Sequence, residues 1–404
     1  MRRPHIPSPR WVAACAAGLA LVLGLTACGS TPTTGDQPAT TTKPMEQAAV
    51  TKPPQISLQP AAGAKGVNPT APVKITVGNG EINSVKLTSS TGAMITGKAS
   101  PDGHSWSATQ ELGYHHTYTW SGTATGLDGK PTPITGAFRT VEPDGTISAQ
   151  LNTGDGATYG VAMPIVVNFS DPVPTEDRAA VQQALSVRTS IPTEGSWAWL
   201  SSSSVHWRPK QFWTAGTKVA VTAKIYGMSF GGGYYGSADI SSHFTIGKNQ
   251  QIKGNVKTHR LVLLADGKVV HDFPTSYGKD SVLWRNTRSG VHVVMSKSPT
   301  YLMSNPRAGY KNVFVRWAVR ISNNGEFIHA YPPTTWAQGN VNVSHGCANL
   351  TTARAKTVYD WVQIGDPVDI EGSHVELSAA DGDYYDWALG WSDWQSKSAL
   401  PASS

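Results

Sequence analysis

Between about residues 56 and 247, apolar and polar positions alternate in short runs, as in Val73-Lys74-Ile75-Thr76-Val77 and His116-Thr117-Tyr118-Thr119-Trp120. A period of two puts every second side chain on one face, so these runs predict half-buried strands, with turn signals at Asp102-Gly103, Asp128-Gly129 and Asp144-Gly145. Similar runs recur roughly a hundred residues later, at 164–169 (PIVVNF) and 218–223 (KVAVTA). Gly66-Val67 is echoed by Gly160-Val161, Trp106 by Trp207, and Phe138-Arg139-Thr140 by Phe244-Thr245-Ile246. The repeat predicts two tandem β-sandwiches, 56–143 and 144–247. His104, His115, His116 and His206 are scattered through them and read as surface residues of a spacer.

From 248 the texture changes. Residues 261–270 (LVLLADGKVV) predict a hairpin turning at Asp266-Gly267, residues 290–295 a further strand, and 313–321 with 326–329 a second hairpin around Asn323-Asn324-Gly325. Residues 351–362 carry apolar positions near helical spacing behind a Thr351 or Thr352 cap, and 365–370 reads as a closing strand. The domain is set at 248–372. A tail, 373–404, holds Tyr384, Tyr385, Trp387, Trp391 and Trp394; packing back onto a preceding domain is favoured over stacking on a glycan.

The first 55 residues obey neither rhythm. Arg2, Arg3 and Arg10 precede an apolar run over 11–25, shorter than the roughly 20 residues that span a bilayer, so 1–28 reads as an export signal. Its ending, Leu25-Thr26-Ala27-Cys28, resembles a bacterial lipobox. This implies a lipidated Cys28, a membrane anchor and a place on the outer face of the cytoplasmic membrane, facing the cell wall. Residues 29–55 are Thr/Pro-rich and too poor in apolar groups to fold, a tether spanning about 5–6 Å times the square root of its length.

Composition supports turn-rich β domains: 40 glycines, 27 prolines and 14 tryptophans among 404 residues, with only 15% charged. The net charge of +6 suits an anionic polymer such as a cell wall, and without a Lys/Arg stripe it argues against nucleic acid.

Cys15 leaves with the signal and Cys28 with the lipid, so Cys347 remains as the one free thiol, either reactive or a buried filler. His345 stands two residues before it and His329 eighteen before it. A thiol needs a neighbouring base or cation to act as a nucleophile at neutral pH, and imidazole supplies one. The helix expected after Cys347 would direct backbone N–H groups at a thiolate or oxyanion. With no second cysteine nearby, the set is poor for a metal, and no metal or cofactor is expected.

His329, fourteen residues, then Ser344-His345-Gly346-Cys347-Ala348-Asn349 resembles the signature of the L,D-transpeptidases, the YkuD-type catalytic domain, best over 250–372. The lipobox, the paired sandwiches, here immunoglobulin-like, and the Trp-rich tail resemble actinobacterial members of that family. The expected fold is mainly β: two immunoglobulin-like sandwiches, a β-rich catalytic domain with a short helix, and the tail.

The resemblance implies cleavage of the bond between residue three and D-alanine in a peptidoglycan stem tetrapeptide. A cysteine acyl-enzyme then passes to a second stem as a 3→3 cross-link. It implies Cys347 as nucleophile, His329 as base, the Ala330 carbonyl as orienter of that base, and His345 in a site-shaping or secondary acid/base role. Backbone N–H groups near His345, Gly346 and Cys347 would form the oxyanion hole. Tyr310, Trp336, Ser344 and Asn349 are candidate substrate contacts, and carbapenems are expected as covalent inhibitors. An L,D-carboxypeptidase, another cysteine acyltransferase such as a sortase-like enzyme, and a non-enzymatic wall-binding lipoprotein are the alternatives.

Overall fold

The computed structural model describes residues 52–382 and 384–401; the export signal, Cys28 and most of the expected tether lie outside the described residues. In the first sandwich, Gln55–Gln59, Lys74–Gly78, Ser105–Ala108 and Gly97–Ala99 form one sheet in that order. Gly80–Ser89, Thr117–Gly126 and Pro131–Arg139 form the other. Lys74–Gly78 buries alternate residues, as its period of two requires, and the core gathers Ile75, Leu87, Trp106, Trp120 and Phe138.

The second sandwich repeats the plan around Ile165–Phe169, Ser204–Pro209, Lys218–Ala223 and Ile240–Ile246. The Trp106/Trp207 echo is physical. Each indole packs against a glycine of the neighbouring strand, Gly97 or Gly195, where a Cβ would fall 2.0 Å from the ring. Tyr114 Oη donates to Gly236 O at 2.7 Å and Asn68 Nδ2 to Gly227 O at 2.7 Å, joining the two sandwiches.

The third domain has two sheets. The first comprises β1 (Gln250–Asn255), β2 (Arg260–Ala265), β3 (Lys268–Pro274), β4 (Gly290–Val293) and β9 (Pro367–Glu371), in the order β3-β2-β1-β9-β4. The second runs β5 (Ser296–Asn305), β6 (Tyr310–Arg320), β7 (Phe327–Ala330) and β8 (Ala348–Leu350) in sequence. Asp266 and Gly267, at φ 49° and 75°, make the β2–β3 turn that the sequence announces. Ile252, Leu263, Val319, Ile328, Leu350 and Val368 close the core between the sheets, and helix α1 (Thr352–Trp361) adds Ala355 and Val358 to it.

Where the second sandwich meets this domain, Gly160 N–H donates to Ile364 O at 2.8 Å and Ala162 N–H to Gly365 O at 2.9 Å. Asp366 lies fully buried at this seam: its Oδ2 accepts from Gln363 N–H, and its Oδ1 has no partner. Burial raises its carboxyl from 3.8 to about 7, with the Gln363 N–H and Lys297 opposing. The folded value lies above the unfolded one, so the folded chain binds the proton more tightly. The stability this brings is complete below about pH 4, declines from there to about pH 7 and is lost above it, roughly 4 kcal/mol at most. Asp366→Asn is expected to flatten that slope in urea titrations between pH 4 and 8; an unchanged slope would assign it to other groups.

The tail packs back on the second sandwich. Trp394 is fully buried, its Nε1 donating to Ser196 O at 2.9 Å, and Trp387 Nε1 donates to Ala162 O at 2.8 Å. Arg208 stacks against Trp387, Trp391 and Trp394, its guanidinium carbon 4.6, 5.3 and 4.8 Å from the rings. His206 departs from the expected surface position. It is fully buried, with Nδ1 2.8 Å from Oδ1 of the equally buried Asp386 and Nε2 3.1 Å from Ser204 Oγ. An imidazole on a strand face reads as exposed until the carboxylate that covers it, 180 residues away, is known.

Candidate active site

Strand β7 is buried along its whole length and ends in His329-Ala330, because Phe327 and Ile328 belong to the core. Strand β8 runs parallel to it, pairing His329 with Asn349 and Ala330 with Leu350. Cys347 immediately precedes β8, so the register brings the thiol and the imidazole to one cavity of about 550 Å³. Tyr310, Trp336, Ser344, His345 and Asn349 line the same cavity. Trp336 is 68% exposed, and the Tyr310 ring lies 5.5 Å from that of His345.

Sequence reasoning missed the other walls, including Met303, Val313, Val315 and Tyr331. The alternation of Val313 and Val315 along β6 puts both on one face and was a usable signal.

The expected helix forms behind its Thr351 cap, but Cys347 does not lie in the loop that leads into it. Strand β8 intervenes, and α1 starts only at Thr352, capped by Thr351, whose side chain accepts from Arg354 N–H. A helix terminus acts only over its first turn, so the Cys347 loop is organised otherwise. Ser344 Oγ donates to Cys347 O at 2.6 Å and accepts from Gly346 N–H at 3.1 Å. The expected oxyanion donor at Gly346 is therefore already engaged by a hydroxyl two residues upstream. Gly346 has φ +125°, a conformation L side chains rarely adopt, and its carbonyl accepts from Thr287 Oγ1 at 2.8 Å. Arg285 Nε donates to Ser344 O at 3.0 Å. Thr287 and Arg285 escaped the sequence reading; the polar run 285–288 was their only trace.

His329 Nδ1 lies 3.0 Å from Ala330 O. A carbonyl only accepts, so Nδ1 carries the proton and Nε2 keeps its lone pair. Burial lowers this imidazole from 6.5 to about 4, against the Ala330 hydrogen bond, so the ring is neutral at pH 7. The Cys347 thiol is pushed up to about 12, chiefly by burial and further by Glu326, while the Phe327 backbone and Arg320 pull it down. The resting pair is thus thiol and neutral imidazole. Such a pair transfers its proton as the thiol attacks.

Residues 249–370 match the family described as the L,D-transpeptidase catalytic domain, and 64–229 match the bacterial Ig domain, a single match that runs through both sandwiches. The chain is 48% identical over 352 residues to L,D-transpeptidase 5 of Mycobacterium tuberculosis (strain ATCC 25618 / H37Rv), covering 86% of this chain and 78% of that protein. It is 35% identical over 355 residues to L,D-transpeptidase 2 of M. tuberculosis (strain CDC 1551 / Oshkosh), covering 86% and 85%. A solved LD transpeptidase in complex with imipenem aligns with 30% identity and a TM-score of 0.47 over 55% of this chain and 97% of that one. The catalytic-domain match and these relatives define a transpeptidase. The chain belongs to the L,D-transpeptidase family.

Proposed function

We propose that the protein forms 3→3 cross-links in peptidoglycan through a thioester on Cys347. The observation that carries this reading is the cavity shared by a buried thiol and an imidazole whose tautomer the Ala330 carbonyl fixes. Cys347 Sγ attacks the carbonyl of the third stem residue while His329 Nε2 accepts the thiol proton. The tetrahedral oxyanion is held by the N–H groups of His345 and Cys347, since that of Gly346 is engaged. Collapse breaks the peptide bond, and His329 returns the proton to the departing D-alanine amine. The side-chain amine of a second stem then attacks the thioester, His329 takes its proton, and the sulfur leaves and is reprotonated.

Tyr310 and Trp336 wall the donor site, His345 shapes it, and Ser344 holds the loop. Asn349 Nδ2 donates to Thr334 Oγ1 at 3.2 Å while its buried Oδ1 lacks a partner, which suits it to receive a substrate N–H. Cys28, once lipidated, holds the enzyme at the outer face of the membrane. Intact-protein mass spectrometry after incubation with a disaccharide tetrapeptide, and separately with a carbapenem, tests the reading. The expected results are a Cys347 adduct with each and a dimeric product from the tetrapeptide. Tripeptide alone would make it a carboxypeptidase, and no adduct would remove the enzymatic reading.

A further inference from the structure

Behind the nucleophile lies a group of charges that the reaction above does not use. Glu326, 2% exposed, sits in the turn before β7. Its Cγ is 3.4 Å from the place a Cβ on Gly346 would take, and its neighbour Gly325 O is 3.8 Å from Cys347 Sγ. Arg288 N–H donates to Glu326 Oε1 at 3.0 Å, and Arg288 Nη1 stands 3.7 Å from the same oxygen. Arg288 Nε in turn reaches Asp381 Oδ1 at 2.9 Å, at the head of the tail.

His292 completes the group. It is fully buried, with Nδ1 3.2 Å from Ile321 O and Nε2 2.9 Å from Arg288 O. Carbonyl oxygens only accept, so this geometry suits a ring protonated on both nitrogens. Its counter-charge is Glu326, whose Oε2 lies 3.8 Å from Nδ1 and is buried without a hydrogen-bond partner. Burial raises this carboxyl, and His292, the Arg288 N–H and the Arg288 guanidinium oppose that rise and favour its ionised form.

We propose that Glu326 is a positioning residue for Cys347: clamped by Arg288 and His292, it supports the Gly346 turn and holds a negative charge that keeps the thiol protonated until His329 accepts its proton. The proposal rests on Cys347 being the nucleophile. A buried carboxylate opposes ionisation of a neighbouring thiol, and in a dry interior a single charge acts strongly. The other groups around the thiol are Arg320 on β6, His329 on β7, Tyr310 at the start of β6, and His345 with Arg285 beside it. None of these supplies a second negative charge. Asp381 sets the geometry from a distance by fixing Arg288, which links the tail to the site.

The test is the pH dependence of iodoacetamide alkylation at the Cys347 peptide of the full chain, resolved by mass spectrometry from Cys15 and Cys28. It needs no acyl transfer, so failure of the transpeptidase reading leaves it measurable. In Glu326→Gln, which keeps the shape and removes the charge, the midpoint is expected to fall by about one pH unit, with about tenfold faster alkylation at pH 7. In Arg288→Met it is expected to rise. A purely structural role would slow alkylation in both variants and leave the midpoints in place, and that result would overturn the proposal. Should Glu326→Gln lose cooperative melting, Arg288→Met decides: a raised midpoint supports the proposal and an unmoved one overturns it.

Discussion

Cys347→Ala is expected to abolish the carbapenem adduct and the cross-linked product together, a loss of several powers of ten, while the protein still folds. Of the groups lining the cavity beside His329, the thiol is the most nucleophilic, and among the described residues no other cysteine can replace it. The structural cost is small. Cys347 packs in a minor cluster with Met303, Val315, Ala318 and Phe327, and its sulfur lies a long 3.8 Å from Gly325 O. Losing that one atom costs about 1 kcal/mol. Melting curves beside adduct mass spectra separate the two outcomes: a variant that loses its adduct only because it unfolds would make Cys347 a packing residue.

Asp386→Ala is expected to act on the fold. Asp386 and His206 are both fully buried, and Arg208 lies close enough for the carboxylate to hold its guanidinium up against burial, which lowers it to about 10. Removing one partner of a buried pair leaves the rest of its charge without compensation, at a cost of roughly 3–5 kcal/mol. Urea unfolding and the emission of the tail tryptophans should shift together. A loss below about 1 kcal/mol, the scale of an exposed pair, would mean that the aromatic stack alone holds the tail.

Features encoded by neighbours in sequence were legible. The Asp266-Gly267 turn, the alternating strand Lys74–Gly78 and the His329, Ser344-His345-Gly346-Cys347 spacing each state their geometry within a few residues or one motif. What escaped depends on distant partners. Thr287 reaches Gly346 across 59 residues, and His206 meets Asp386 across 180. The helix behind its Thr351 cap stands where its apolar spacing puts it, whereas the three residues of β8 between Cys347 and that helix carry no strand signal of their own until β7 lies alongside them. Gly346 shows a subtler limit: the glycine was identified, but its N–H had been given to Ser344 by a loop conformation no spacing reveals.

The route of the tail has a mechanical consequence. The chain leaves the second sandwich after Ile246, builds the third domain and returns to the same sandwich through Trp387 and Trp394. A domain moored at one end would swivel about residues 247–249 and sweep its opening through a cone. Moored at both ends, it keeps one bearing, and sandwich and cavity turn as a single arm. Aim is then settled when the protein folds, and the cavity is redirected only by moving the whole arm.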